Sequence, residues 1–408
     1  MRPILKNSIA VVIGTLLYKV GFLAKDIVLT SKMGMGQQLT LFVTAFLIPS
    51  FLSNTIAQSL QVSSTAEVMR SDKTISSQFL LRLFVKVLSL GVAGYALLHF
   101  LVPFVFTSFA PSELGHLRQG IWLSLPFFLT MPIRGVLGQV LYIREYYLLN
   151  FSLALVCPVG MIGYIMLASH PEALGLMQVL AVASVCELIV VYSVVKIVGG
   201  IGSHHSSDFG HRKILSGFTF QSLLMLPPLI DQLIAHWFDA QFLTAFSYAS
   251  KIPNILTTVS MIVASSVFLP FFIEKTGREV PTPKRLIALL AVLFWLTTPF
   301  LSPLIVELVF QRGAFTAEDT AQIAALQTLY FISAPLTAIF MVYIRFLNAK
   351  GQNREATLWL VWLCSLSLFF GLMWKYLGRH DLIPVSILLS YLILLGRYFL
   401  TKKGTHAR

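Results

Sequence analysis

Charge is what this sequence is short of. Only 12% of its 408 residues are Asp, Glu, Lys or Arg, about half the ~25% share of a soluble globular chain. Hydrophobic residues make up 56%, and mean hydropathy is +0.80. Together these exclude an ordinary soluble domain and indicate an all-α polytopic membrane protein. Cysteine is nearly missing as well. Cys157, Cys186 and Cys364 are scattered in apolar segments, without paired or metal-ligand spacing, so neither a disulfide framework nor a metal site is expected. There is no GxxxxGK[ST] phosphate loop, no HExxH and no GxSxG. With no ATPase or hydrolase constellation, the expected class is a secondary transporter rather than an enzyme. It would need no cofactor beyond coupling to membrane potential or a monovalent cation.

What the chain does have is long apolar runs. Twelve can be counted, at roughly 8–29, 39–60, 79–107, 119–143, 148–168, 174–198, 213–236, 240–272, 285–310, 320–347, 356–377 and 382–401. Each approaches or exceeds the ~20 residues needed to cross a bilayer as a helix. The first lacks a small-residue cleavage site and leads straight into the second, so it is expected to persist as a span.

Base exceeds acid, 30 against 17, for a formal net charge of +13. This excess follows topology. With the N-terminus in the cytoplasm, the cytoplasmic loops carry eighteen Lys and Arg. The opposite loops carry only five: Lys32, Arg118, Arg312, Lys375 and Arg379. Such a bias places both termini in the cytoplasm and explains most of the basic excess without a nucleic-acid partner.

The stretch Gly199–His211 reads GGIGSHHSSDFGH and has the composition of a solvated linker. Its His204, His205 and His211 lack a carboxylate or cysteine cluster that would complete a metal site. The expected organisation is a six-helix lobe over 1–198, a cytoplasmic linker over 199–211 and a second six-helix lobe over 212–408. The two halves share a weak repeat. Asp26 precedes Ala45-Phe-Leu-Ile-Pro49-Ser-Phe-Leu52 by 19 residues, and Asp231 precedes Ala249-Ser-Lys-Ile-Pro253-Asn-Ile-Leu256 by 18. Phe128, Pro132 and Tyr142-Ile-Arg144 are echoed by Phe331, Pro335 and Tyr343-Ile-Arg345. Six spans separate the copies, so the repeat is parallel, with a shared site expected between the lobes.

Charges inside the spans are the remaining signal. A charge near the bilayer centre costs about 2.5–3.5 kcal/mol on insertion scales, so each needs a reason. The first span holds Lys19, Lys25 and Asp26. Lys19 and Asp26 are nearly two helical turns apart, ~10 Å along one face, and Lys25 points ~100° away from Asp26. Asp26 could neutralise one of these lysines, but not both. Lys251 sits in the eighth span, where its repeat counterpart is Leu47. It reads as an anion contact, as a partner of Asp231, or as a snorkelling side chain. Arg134 follows Pro132 and stands open between a substrate contact and a bond to freed carbonyls. Asp231 follows Pro227 and Pro228, which break the seventh helix, and is open between ion coupling and an internal pair. A slightly positive interior suits a phosphate or diphosphate better than an organic cation.

These residues resemble the MurJ/MviN lipid flippases of the multidrug/oligosaccharidyl-lipid/polysaccharide (MOP) exporter superfamily. Tyr18-Lys-Val-Gly-Phe-Leu-Ala-Lys25-Asp26 is similar to the family's first helix, where two arginines six residues apart precede an Asp. Ile230-Asp-Gln-Leu-Ile-Ala235, Phe246-Ser-Tyr-Ala-Ser-Lys251 and Val309-Phe-Gln-Arg-Gly-Ala-Phe-Thr316 resemble later segments in the same order. The matched arginines are lysines here, which keeps the charge and loses the planar fork. Thr40, Ser53 and Gln58 stand where the family has Asp, Arg and Glu. Family members carry two further helices beyond the twelve expected here.

The resemblance implies a MATE-like, two-lobed monomer in the bacterial cytoplasmic membrane. It would flip a polyprenyl-diphosphate-linked saccharide, foremost the peptidoglycan precursor lipid II, by alternating access among membrane lipids. The expected substrate contacts are Lys19, Lys25, Asp26, Arg134 and Lys251, with Asp231 as a possible ion-coupling residue. A flippase for O-antigen or another surface glycan, and a drug/cation antiporter of the same fold, are the alternatives.

Overall fold

The computed structural model describes residues 2–202, 211–263, 297, 300–349 and 352–405. The linker histidines His204 and His205, the end of the eighth apolar run and most of the ninth lie outside the described residues.

The chain is built almost wholly of helices. In order they are α1 (Arg2–Met33), α2 (Gln37–Arg70), α3 (Ser77–Val105), α4 (Pro111–Leu123), α5 (Leu125–Ile143), α6 (Tyr147–Leu153), α7 (Val156–Leu167) and α8 (Ala173–Ile197). They continue with α9 (His211–His236), α10 (Ala240–Val263), α11 (Phe300–Phe310), α12 (Ala317–Ala349), α13 (Asn353–Tyr376) and α14 (Ile383–Thr405). Among the described residues, nine stretches are long and apolar enough to cross a membrane. The two helices carrying the lysine candidates, α1 and α10, are not among those nine, although both have the length of a span.

Eleven of the twelve expected segments coincide with helices, and the ninth is represented by α11. Two expected single spans each hold a short turn yet remain single candidate spans, Pro111–Ile143 and Tyr147–Leu167. The fourth run begins earlier, at Pro111, and breaks between α4 and α5 at Ser124. The Ser124 hydroxyl donates to Ile121 O at 2.6 Å and also meets the Tyr95 hydroxyl at 2.9 Å. Pro126 follows immediately and has no N–H to continue the ladder. The fifth run likewise divides into α6 and α7.

Helix starts follow local chemistry. Ser76 caps α3 by accepting from Gln78 N at 3.2 Å. Before α12, Thr316 N donates to Asp319 Oδ2 at 2.9 Å, and Asp319 N donates back to Thr316 Oγ1 at 3.2 Å, a reciprocal cap. Prolines lie inside α2, α5, α9, α10 and α12. Membrane helices tolerate them because neighbouring groups take up the freed carbonyls.

The contacts divide the chain into two compact units, Ile13–Met225 and Met1–Val12 with Leu226–Arg408. The divisions fall inside α1 and inside α9, the latter directly before Pro227 and Pro228. Within the first unit, α2 packs on α5, α5 on α8, and α7 on α8. Within the second, α10 packs on α12, α12 on α14, and α13 on α14. Replacing α2, α5, α7 and α8 by α10, α12, α13 and α14 turns one pattern into the other. The repeat read from Asp26/Asp231 and Pro49/Pro253 is thus mirrored in how each unit packs.

The first unit is tied at one end by a two-residue parallel pairing, Ile75 with Ile201 and Ser76 with Gly202. Arg144, at the end of α5, closes this tie. Its guanidinium donates to Lys73 O at 2.9 Å, to Gly199 O at 2.6 Å and to Val198 O.

Candidate functional site

In the first unit, α1 presents Gly14, Tyr18, Gly21 and Lys25 at spacings of four, three and four, a single helical face. The glycines let that face lie close to its neighbours. A Cβ on Gly14 would sit 2.2 Å from Phe151 Cδ2 of α6, and one on Gly21 would sit 2.3 Å from Leu155 Cδ2. Tyr18 is half-buried on this face, between the two glycines.

The buried charges of this unit form two ion pairs. Lys25 Nζ lies 2.9 Å from Asp26 Oδ1, with side chains 11% and 8% exposed. Arg134 Nε lies 2.7 Å from Glu187 Oε1, with side chains 14% and 5% exposed. Arg134 Nη2 also donates to Asn150 O at 3.1 Å. Each pair is neutral as a whole, which limits the cost of burying its members.

Lys19 is different. It is half-buried, and its contact among the described residues is the Tyr18 ring, 5.9 Å from its ammonium. Among the described residues no carboxylate lies within ion-pair distance of it. Asp26, nearly two turns along α1, is engaged with Lys25. Of the three charged residues in the first span, Lys19 is the one that leaves this unit a surplus positive charge.

In the second unit Lys251 is half-buried on α10, with its ammonium 3.4 Å from the centroid of the Tyr248 ring. Tyr248 is fully buried and packs edge-on against Phe310 of α11, with ring centroids 5.6 Å apart. Asp231, on α9, is also fully buried. Its Oδ2 accepts a hydrogen bond from the Tyr330 hydroxyl of α12 at 3.3 Å, while Oδ1 has no hydrogen-bond partner among the described residues. Among the described residues Tyr330 is thus the hydrogen-bond partner of Asp231. Glu307 is exposed.

Three partners were outside the reach of sequence reading. Glu187 was one of several acids available to Arg134. Asn150 contributes a backbone carbonyl, which leaves no sequence signal. Tyr330 lies 99 residues from Asp231. Tyr248 was legible in principle, because it stands one helical turn before Lys251. Among the described residues no group of three or more His, Cys, Asp or Glu is placed to hold a metal ion.

The arrangement can do two things chemically. It offers a surplus ammonium in one unit and a ring-held ammonium in the other, both suited to anionic oxygens. It also holds a carboxylate away from solvent, where its charge state depends on what binds it.

No protein-family model matches the chain. A probable lipid II flippase MurJ from Thermotoga maritima is 22% identical over 369 residues, spanning 85% of this chain and 75% of that protein. Among solved structures, a lipid II flippase MurJ in an inward closed conformation superposes with a TM-score of 0.74 at 16% identity, covering 96% of this chain and 87% of the other. A Vibrio cholerae MATE transporter, VcmN, superposes with a TM-score of 0.67 at 13% identity, covering 100% and 98%. A MOP-superfamily transporter from Pyrococcus furiosus gives 0.63 at 11% identity, covering 98% and 95%. The fold is therefore the two-lobed helical fold of MurJ and MATE transporters, as the resemblance implied, and the chain is a multi-pass membrane protein.

Proposed function

We propose that this protein is a lipid flippase that moves a polyprenyl-diphosphate-linked saccharide, foremost lipid II, across the bacterial cytoplasmic membrane. Lys19 and Lys25 of α1 and Lys251 of α10 each contact the diphosphate at some stage of an alternating-access cycle. Asp26 sets the position of Lys25. Arg134 contributes through the Glu187-anchored cluster. Asp231 couples transport to a monovalent cation. The protein acts as a monomer, without enzymatic activity, and both termini are cytoplasmic.

The observation that carries this reading is the surplus of cation over acid in α1, on a fold shared with a lipid II flippase. Lys25 and Asp26 cancel, and Lys19 remains. A multidrug antiporter exporting organic cations would need the opposite balance. The flippase relative from Thermotoga maritima supports the same substrate class.

Complementation tests the reading. The gene is expressed in a strain depleted of its lipid II flippase, beside a strain lacking its O-antigen flippase. Rescue of the first, lost on Lys19→Ala at equal membrane abundance, is the expected result. Rescue of the second alone would reassign the saccharide. Drug resistance without either rescue would reassign the class.

A further inference from the structure

Where α13 turns into α14, basic side chains rest on aromatic rings. Lys375, in the last turn of α13, has its ammonium 4.2 Å from the centroid of the Trp237 ring, which follows the end of α9. His380, in the turn before α14, stacks on Phe242 of α10 with ring centroids 4.2 Å apart and planes inclined by 31°. Phe238 packs against the same imidazole at 5.7 Å. Trp237 and Phe238 are consecutive, so both arrangements share one corner of the second unit.

The acids of this corner are engaged elsewhere. Asp381 accepts from both arms of Arg379, at 3.1 and 2.9 Å, and Asp239 accepts from Gln241 N at 2.9 Å. Among the described residues no carboxylate lies within ion-pair distance of Lys375. A ring face attracts an ammonium through its quadrupole without cancelling its charge. Stacking uses the face of the His380 imidazole, while its N–H donor lies in the ring plane.

Closing such a corner does not in itself call for basic residues. In the repeat Ala45 answers to Ala249 and Pro49 to Pro253, and the same register sets Gln38 against Phe242. Gln38 closes the equivalent corner of the first unit by accepting from Ala173 N at 3.0 Å, at the start of α8. The ionisable groups lining the cavity beside that bond are His116 and Glu172. The rings and basic groups of the second unit are an addition to what the fold needs there.

The surroundings specify a ligand. One membrane-crossing stretch ends at Tyr376 and the next begins at His380, which puts the corner at the bilayer surface. Beside Lys375, α13 presents Phe369, Leu372 and Tyr376 at spacings of three and four, on one helical face. These side chains are 61%, 42% and 92% exposed. An apolar track of this kind takes an acyl chain, and donors at its head take a phosphate. A free phosphate would leave the track unused.

We propose that this corner binds an anionic phospholipid of the surrounding bilayer. Lys375 and His380 donate to the headgroup phosphate, and the Trp237 and Phe242 rings hold them in place. The site uses none of the candidate substrate residues, and the proposal stands whether or not the chain flips lipid II.

The test takes the full-length protein in detergent and titrates in phosphatidylglycerol or phosphatidylcholine with matched acyl chains, counting bound lipid by native mass spectrometry. Wild type is expected to prefer phosphatidylglycerol. Lys375→Ala and His380→Phe should each weaken it about threefold, and together about tenfold, as for the loss of one and then two donors. Phosphatidylcholine binding should not change. Lys375→Ala removes an exposed side chain and His380→Phe keeps a ring against Phe242, so the fold is spared, and Lys375→Arg should restore binding. Equal affinity for the two lipids in wild type, or undiminished phosphatidylglycerol binding in the double variant, would overturn the proposal. Undecaprenyl diphosphate serves as competitor. If it binds wild type more tightly than phosphatidylglycerol and is weakened equally by the double variant, the corner belongs to the transported lipid and the assignment to a bilayer phospholipid fails.

Discussion

Arg134 and Glu187, 53 residues apart in the chain, meet inside the first unit with Nε and Oε1 2.7 Å apart. The pair joins α5 to α8, and the second bond from Arg134, to Asn150 O, adds α6. Three helices are thus fixed around one guanidinium. Removing one partner of a buried pair leaves the other charge uncompensated, at a cost of about 3–5 kcal/mol. Glu187→Ala and Arg134→Ala should each lower thermal stability in detergent by that order. An apolar double replacement, Arg134→Met with Glu187→Leu, should recover much of the loss. If that double variant also flips lipid at wild-type rate, Arg134 is a structural residue and not a substrate contact.

The Lys25–Asp26 pair calls for the same logic with a different readout. Lys25→Ala alone strands a carboxylate that is 8% exposed, so its loss of activity would mix misfolding with lost binding. Adding Asp26→Asn removes the stranded charge. The double variant is expected to regain stability to within about 1 kcal/mol of wild type, in keeping with the small cost of exchanging a complete pair. Its diphosphate affinity should stay reduced, because Lys19 alone then serves α1. Calorimetry and undecaprenyl diphosphate binding on the same preparations check both halves. Wild-type affinity in the double variant would remove Lys25 from the substrate contacts.

How much of this was legible in the sequence depended on the range of the signal. Apolar runs of about twenty residues are local, and they located the helices. The break at Ser124 was hidden, because the run is apolar on both sides and a buried serine bonded to Tyr95 looks like any other. The repeat was visible through Asp26/Asp231 and Pro49/Pro253, and each unit packs in the order it implies. Charges in the spans were singled out as needing a reason, and Lys25 and Arg134 have carboxylate partners. Which partner each took was not readable. Glu187 and Asp231 were both available acids, and only the packing of α5 on α8 selects Glu187 for Arg134. That Asp26 pairs with Lys25 and leaves Lys19 in surplus was likewise not readable in advance. Helical spacing set Lys19 and Asp26 on one face, while the shorter reach to Lys25 won.

Arg144 makes a prediction about local rather than global stability. Three backbone carbonyls, of Lys73, Val198 and Gly199, converge on its guanidinium. The strand pair beside them has two residues per strand, too short to persist unaided. Arg144→Lys keeps the charge but lacks the planar fork that serves three acceptors at once. Amide exchange at Ile75, whose N–H donates to Gly200 O at 2.9 Å, should accelerate at least tenfold in Arg144→Lys. Amides in the centre of α5 should be unchanged. Equal acceleration at both places would show that Arg144 supports the whole unit and not the tie alone.

Asp231 offers the sharpest test of coupling. Its carboxylate is 0% exposed, accepts a hydrogen bond from Tyr330 and keeps an oxygen without a hydrogen-bond partner among the described residues. Such a group is costly to ionise unless a cation accompanies the charge. Asp231→Asn preserves the volume and can still accept from Tyr330, so unfolding should shift by no more than about 1 kcal/mol. It can no longer exchange charge with a bound cation. Proteoliposome flux should therefore become insensitive to imposed sodium or proton gradients, while downhill flipping continues. Tyr330→Phe removes this donor and leaves the carboxylate in place. It should keep the gradient response but alter the cation concentration at which it saturates. A response that survives Asp231→Asn would place coupling elsewhere in the chain. A response lost equally in both variants would assign it to the hydrogen-bonded pair rather than to the acid alone.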